Sequence, residues 1–268
     1  MKKQNLPTMR INRLLSDSGF CSRREADRLI EEGRVTIDGR VAVLGDQAPE
    51  GALVAVDGKA VEGGAPKVYL ALNKPAGVVC TTDRREPMNV IDYLNYPERV
   101  FPIGRLDKDS SGLLLLTSDG GIVNRILRAA GGHEKEYRVS LTQPVTQDFL
   151  EKMAAGVPIL DRVTLPCRVW KTGDRSFGIV LVQGINRQIR RMCEALGYRV
   201  HTLERVRVMN ITLSGLEPGH FRKLEGPEVA RLLEATEHTP GTPGKAAGKT
   251  PEMPETPPSD PRKGHETP

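Results

Sequence analysis

FPIGRLDKDSSGLLLLTSDG, Phe101 to Gly120, decides the reading of this chain. Val100 to Ile103 read as an incoming apolar strand and Leu113 to Thr117 as an outgoing one. Between them lie glycine, charged and hydroxyl residues, which cannot form a buried strand but can line a site. That loop places a carboxylate, Asp107, behind Gly104 and Arg105. Ser118 or Asp119 is placed to cap a helix over Ile122 to Ala129, with Gly131 and Gly132 as its stop.

Working outward, VYLALN, KEYRVSL, FGIVLVQ and VRVMNITL read as further strands between residues 68 and 235. Helices are few and do not alternate regularly with strands. An α+β domain with a mixed, mostly antiparallel sheet flanked by helices is therefore expected, not a doubly wound one. Upstream, residues 9–57 form a compact unit. Met9 to Ser18 are expected to make a short helix ending at Gly19, and Ser22 with Glu25 forms a capping box for a second helix reaching about Glu32. Short strands follow, with turns at Asp38-Gly39 and Asp57-Gly58. A polar joint, Glu62 to Lys67, ends this first unit, giving domains at 9–67 and 68–235. Residues 236–268 hold eight of the twenty prolines and almost no apolar side chains, so this tail is expected to be disordered.

Composition narrows the function. At 268 residues the chain can hold one or two domains with a real core. A net charge of +5 and a pI near 9.1 suit a polyanionic partner. Aromatics are only 4%, against an extended stacking platform for single-stranded RNA. No apolar run follows the N-terminal lysines, and no stretch approaches the roughly 20 apolar residues of a membrane span. Cys21, Cys80, Cys167 and Cys193 are scattered, which favours free thiols in a reducing cytoplasm over a zinc site or disulfides.

Basic residues gather in two places. Residues 1–40 carry nine Lys/Arg against six Asp/Glu, with Arg23, Arg24 and Arg28 near one helix face, where they could meet phosphates. Asn186 to Leu196 reads as a second basic helix, with Asn186 as its cap and Gly197 as its stop. At about 100° per residue, Arg187, Arg190 and Arg191 share one face and Ile189, Met192, Cys193 and Leu196 the other. Period-two alternation in KEYRVSL puts Tyr137, Val139 and Leu141 on one face.

Four blocks in order, LNKPAGVVCTT (72–82), the Gly-Arg-Leu-Asp stretch, HEKEYRV (133–139) and QGINRQIRRMCEALGYRVHTLERVRV (183–208), resemble the RNA pseudouridine synthases. The likeness is to the branch that modifies ribosomal RNA, and INRLLSDSGFCSRREADRLIEEGRVTIDG (11–39) resembles its S4 RNA-binding domain. The resemblance implies an isomerase that turns uridine into pseudouridine in large-subunit rRNA, at the uridine customarily numbered 2604. It makes Asp107 the catalytic carboxylate, Tyr137 the residue against the flipped uracil, and Ile189 an apolar wall of the base pocket. Arg105 would enter the RNA where the base leaves, and Arg190 would pair with Asp107. Asn73 and Lys74 are candidates for phosphate contact, and His133 for a surface or RNA-facing position. Asp161 stands where the family's wording leads us to expect glycine.

The reaction detaches uracil at N1, turns it and rejoins it through C5. It needs a carboxylate and a base taken out of its stack, but no cofactor and no metal. A monomer acting on ribosomal RNA, away from membranes, is the expectation. Two other readings are an isomerase acting on a different rRNA or tRNA uridine and a non-catalytic ribosome-assembly factor on the same fold. A glycosidase using Asp107 with Asp109 is disfavoured, because carboxylates two residues apart on a loop need not converge on one bond.

Overall fold

The computed structural model describes residues 7–62, 66–127 and 132–237. The first unit runs β1 (Thr8–Arg10), α1 (Ile11–Asp17), α2 (Arg23–Glu31), β2 (Val35–Ile37), β3 (Arg40–Val41), β4 (Gln47–Pro49), β5 (Val54–Val56) and β6 (Lys59–Ala60). Ser22 Oγ accepts from the Glu25 amide at 3.1 Å, which starts α2 as expected. Both Asp-Gly turns have positive φ at each residue, 50° and 82° at Asp38-Gly39 and 50° and 74° at Asp57-Gly58. That is the geometry that matches strand twist in a two-residue hairpin. The expected helix over Met9 to Ser18 starts late: Thr8 to Arg10 are extended and pair with Gln47 to Pro49. Ile11 and Leu15 sit on the same side of α1 and pack with Leu29, Ile30 and Val35 in a core of their own.

The second unit continues with β7 (Tyr69–Lys74), α3 (Val90–Leu94), β8 (Phe101–Ile103), β9 (Ser111–Thr117), α4 (Gly120–Leu127), β10 (Lys135–Leu141) and α5 (Gln147–Ala155). Then come β11 (Pro158–Ile159), β12 (Arg162–Val163), β13 (Arg168–Gly173), β14 (Ser176–Leu181), α6 (Gln188–Ala195), β15 (Val200–Val208), β16 (Ile211–Thr212), β17 (Phe221–Lys223) and α7 (Pro227–Glu237). Nine strands form one sheet with the path β13-β14-β10-β15-β9-β7-β17, to which β8 and β16 add at β9 and β15. Every pairing in it is antiparallel except β15 with β9, so the mixed, mostly antiparallel expectation holds.

The run Leu113 to Leu116 explains itself once both faces of β9 are seen. Leu113 and Leu115 pack with Ile122 and Ile126 of α4 and Leu232 of α7, while Leu114 and Leu116 pack with Val90 and Leu94 around α3. A strand covered on both sides reads as a continuous apolar run. At roughly 1.5–3 kcal/mol for each fully buried leucine, this strand anchors the sheet. A third cluster, under α5 and α6, joins Phe149, Phe177, Ile189 and Met192.

Asp119, not Ser118, caps α4: its Oδ1 accepts from the Gly121 amide at 2.9 Å, while Ser118 Oγ accepts from the Val68 amide. The expected end of α4 falls partly on residues 128–131, and the expected tail from residue 238 onward; both lie outside the described residues. Thr236 and Glu237 belong to α7. Asp161 follows Leu160 in a tight turn with φ of 48° and 45°, which is the conformation that makes glycine the expected residue.

Candidate active site

The loop from Gly104 to Ser110 leaves β8 and enters β9, and LNKPAGVVCTT holds it from behind. The Gly77 amide donates to the Lys108 carbonyl at 2.7 Å, and the Leu106 amide donates to Cys80 Sγ at 3.3 Å. Lys74, fully buried, donates its ammonium to the Pro75 and Val78 carbonyls. Burial pushes its pKa down, partly offset by Cys80, Asp109 and Asp107. Asn73 is buried too, and donates to the Leu216 carbonyl. Phosphate contact by Asn73 or Lys74 is therefore excluded, because both spend their donors inside the protein. The Ser110 amide donates to the Asp107 carbonyl at 3.1 Å, closing a turn that turns Asp107 toward a cavity.

That cavity has a volume of about 390 Å³, within the usual range for small-ligand clefts of roughly 300–1,000 Å³. Arg105, Asp107, Tyr137, Arg187, Ile189 and Arg190 all line it, although they come from the β8–β9 loop, β10 and α6. Tyr137 sits at a bulge: β10 pairs Glu136 with Arg207 but Tyr137 with Arg205, so β15 carries one extra residue there. A bulge of this kind re-aims a side chain next to a site. Ile189 is buried against the core, and Arg105 is exposed at the mouth.

The sheet meets the loop where β15 and β9 run parallel, Arg205 facing Gly112. Gly112 has φ +102°, and a Cβ there would stand 2.3 Å from the Arg205 carbonyl oxygen. Only glycine lets these two backbones approach so closely.

The α6 wheel is confirmed, with Ile189, Met192 and Cys193 buried and the arginines on the other side. Its start is not. Asn186 is not the cap; Arg187 is, with φ 51° and no side-chain capping bond. The Gln188 side chain instead ties the preceding loop, accepting from the Ile185 amide and donating to Gln183.

The expected Arg190–Asp107 pair is replaced by a different arrangement. Arg187 lies 3.7 Å from the Asp107 carboxylate and 3.4 Å from that of Asp109, and Arg190 pairs with Asp109 at 3.3 Å. Arg190 also donates to the Asp109 carbonyl and to Ser110 Oγ. Arg190, three residues further along the chain, thus meets the end of the loop, while Arg187 reaches both of its carboxylates. Partial burial pushes the Asp109 carboxyl up, but the Arg187 and Arg190 guanidiniums outweigh it and hold the carboxyl below its ordinary value.

Other candidates fall outside the cavity. Arg191 folds back onto the Asn186 carbonyl. His133 is buried, with Nε2 lacking a partner among the described residues, and is not at the surface. On α2, Arg28 is engaged by Glu25 and Glu32, while Arg23 and Arg24 are exposed. Lys135, Gln183, Gln188 and Arg205 line the cavity although the sequence reading did not select them. For Lys135 a signal existed: it shares the inward face with Tyr137, Val139 and Leu141, where a charge is out of place.

The mostly antiparallel sheet thus carries a carboxylate loop over a basic, tyrosine-bearing cleft. Residues 68–195 match the RNA pseudouridylate synthase family and residues 9–54 match the S4 domain. The chain belongs to the RNA pseudouridylate synthase family and carries an S4 domain. It is 50% identical over 234 residues to the dual-specificity RNA pseudouridine synthase RluF of Escherichia coli K12, covering 87% of this chain and 81% of that protein. It is 34% identical to the ribosomal large subunit pseudouridine synthase B of Bacillus subtilis, covering 85% and 97% of the two. A solved pseudouridylate synthase superposes with a TM-score of 0.62 at 28% identity, covering 84% of this chain and 99% of that one.

Proposed function

We propose that this isomerase converts a single uridine to pseudouridine in large-subunit ribosomal RNA, with Asp107 as the catalytic carboxylate. The observation that carries the reading is that Asp107 opens onto the same cavity as Tyr137, Ile189, Arg187 and Arg190. The names of the relatives support the substrate: one is a ribosomal large subunit enzyme, and the other acts on RNA with dual specificity. The uridine customarily numbered 2604 is the address the sequence resemblance implies. A second RNA target, such as a tRNA uridine, is the alternative that the word dual favours.

In this reading the base leaves its stack and enters the cavity. Tyr137 stacks on it, Ile189 walls its other side, and Arg105 at the mouth occupies the vacated position. Asp107 acts at the sugar, as a nucleophile at C1′ or as the base that removes the C2′ proton. Arg187 keeps that carboxylate company as water is excluded, and Arg190 acts one step removed by fixing Asp109 and Ser110. Arg187 and Arg191 also flank the path of the backbone phosphates. Residues 9–67, with Arg23 and Arg24 exposed on α2, anchor the RNA from outside the catalytic domain, residues 68–235; Arg28 contributes less, since two glutamates hold it. The protein acts as a monomer in the cytoplasm.

The test is Asp107→Asn in a single-turnover assay on a large-subunit rRNA transcript. The substitution removes the charge at nearly constant volume, so RNA binding stays normal and product disappears. Full activity of the purified variant refutes the role of Asp107. Deleting residues 1–60 weakens binding at fixed ionic strength if the first domain is the anchor; unchanged affinity refutes that part.

A further inference from the structure

The wall of the cavity beside Tyr137 holds two cations to which the chemistry above gives no role. Lys135 is 8% exposed and Arg205 only 3%, and both line the cavity. The Lys135 ammonium donates to the His133 carbonyl at 3.1 Å, and Arg205 Nε donates to the Leu113 carbonyl at 2.7 Å. One Arg205 nitrogen, Nη2, is buried with no hydrogen-bond partner among the described residues. Among the described residues neither cation forms an ion pair with a carboxylate; the nearby pairs engage Arg187, Arg190 and Arg207. The groups around them are His133 just before β10, Tyr137 on β10, Lys74 at the end of β7, Arg105 and Asp107 on the loop, and Arg187 and Arg190 at the start of α6.

Burial and the adjacent Arg205 charge push the Lys135 pKa down to about 8, which leaves it a cation at neutral pH. Two like charges on one low-dielectric wall, with no carboxylate in direct contact among the described residues, are costly. Such a wall is matched to a negative charge that arrives during use. A phosphate stays on the RNA backbone at the mouth, where the exposed Arg105 and Arg187 stand. The wall beside Tyr137 meets the base.

We propose that Lys135, with Arg205 set beside it, receives a carbonyl oxygen of the uracil and stabilises the negative charge the base acquires as it leaves the sugar. The proposal rests on the isomerase reading. When the N1–C1′ bond breaks, its electron pair goes to the base and spreads over N1, O2 and O4. The sugar is balanced by attack of Asp107 at C1′ or by loss of the C2′ proton to it. After the base turns, C5 bonds to C1′ as the Asp107–C1′ bond breaks, or as Asp107 returns the proton to C2′; C5 then loses its proton while N1 gains one, so nothing external is consumed. A donor pre-placed where charge develops is strengthened by the dry site.

The experiment compares Lys135→Met and Lys135→Gln with the wild-type protein on an rRNA transcript carrying uridine or 5-fluorouridine. Fluorine at C5 makes the base a better anion and so less dependent on a protein cation. Single-turnover rates on uridine fall on the order of 10²–10³-fold, the usual loss for one pre-organised donor, while the Kd for RNA is unchanged. Breakage of the 5-fluorouridine N1–C1′ bond, read by nuclease digestion and chromatography, falls much less. Equal losses on the two substrates, or a loss below about threefold on uridine, overturn the proposal. Two replacements of different polarity separate a folding defect from the charge effect. A wild-type protein that makes no pseudouridine would instead defeat the isomerase reading on which the proposal stands.

Discussion

Replacing Gly112 by alanine tests whether the parallel junction of β9 and β15 sets the site. The new Cβ would stand 2.3 Å from the Arg205 carbonyl oxygen and 2.7 Å from its nitrogen, at φ +102°. Both clashing atoms are backbone, so no side chain can swing away. Holding alanine at such a φ costs about 1–3 kcal/mol. Forcing the strands apart adds about 1–3 kcal/mol of overpacking, so a total of about 2–6 kcal/mol is expected. Denaturant unfolding followed through Trp170, the single tryptophan and part of the same sheet, reads this loss in the catalytic domain alone. The midpoint should fall at unchanged slope. Gly112 lies on the strand that follows the Asp107 loop and faces the neighbour of Tyr137 across the sheet, so the shift separates the two. A misplacement near 1 Å costs on the order of 10² in rate. Gly184→Ala, where a Cβ meets nothing within 4 Å, is the stability control. A loss under about 0.5 kcal/mol with full activity in Gly112→Ala refutes the argument.

Three further outcomes are expected. Lys135→Met should stabilise the fold: its pKa falls from 10.5 to about 8 on folding, worth about 3 kcal/mol at pH 7, less about 1 kcal/mol for its lost hydrogen bond. Because the folded value is the lower one, wild-type stability rises with pH between those two values, and a variant with the same slope contradicts the account. His133 is held below its ordinary value by burial and by Lys135. Stability should therefore fall as pH drops below 6.5, and His133→Leu should flatten that slope in acid titrations followed by circular dichroism. On α2, Arg23→Ala and Arg24→Ala should each lower the salt dependence of RNA binding by about one ion, whereas Arg28→Ala, already held by Glu25 and Glu32, should change it least.

Much of the architecture was legible because local chemistry and tertiary context agree. The Asp-Gly turns, the Ser22 cap and the Leu113 to Leu116 strand each carry a signal that nothing later overrides. Where the reading failed, contacts distant in sequence decided the outcome. Met9 and Arg10 fit a helical period but are taken by pairing with Gln47 and Ala48. The strand from Arg168 to Gly173 lies at the sheet edge, mostly exposed, and so lacks the alternation that betrays a strand. Asn186 is a natural cap, yet the Gln188 side chain organises the loop and leaves Arg187 to start the helix. The site shows the same division. Asp107, Tyr137, Ile189, Arg187 and Arg190 were found from motifs, and the cavity gathers them, while Arg191 stays outside. Which arginine meets which carboxylate depends on how far α6 stands from the loop, and no local pattern encodes that distance.

The central claim is that Asp107 drives uridine isomerisation in large-subunit ribosomal RNA. It is tested most directly by mapping pseudouridines across that RNA from cells lacking this protein, after supplying either the wild-type chain or Asp107→Asn at equal abundance. One pseudouridine, at the position customarily numbered 2604, should be missing without the protein, restored by the wild-type chain and still missing with Asp107→Asn. An unchanged map in cells lacking the protein, or full restoration by Asp107→Asn, would contradict the account.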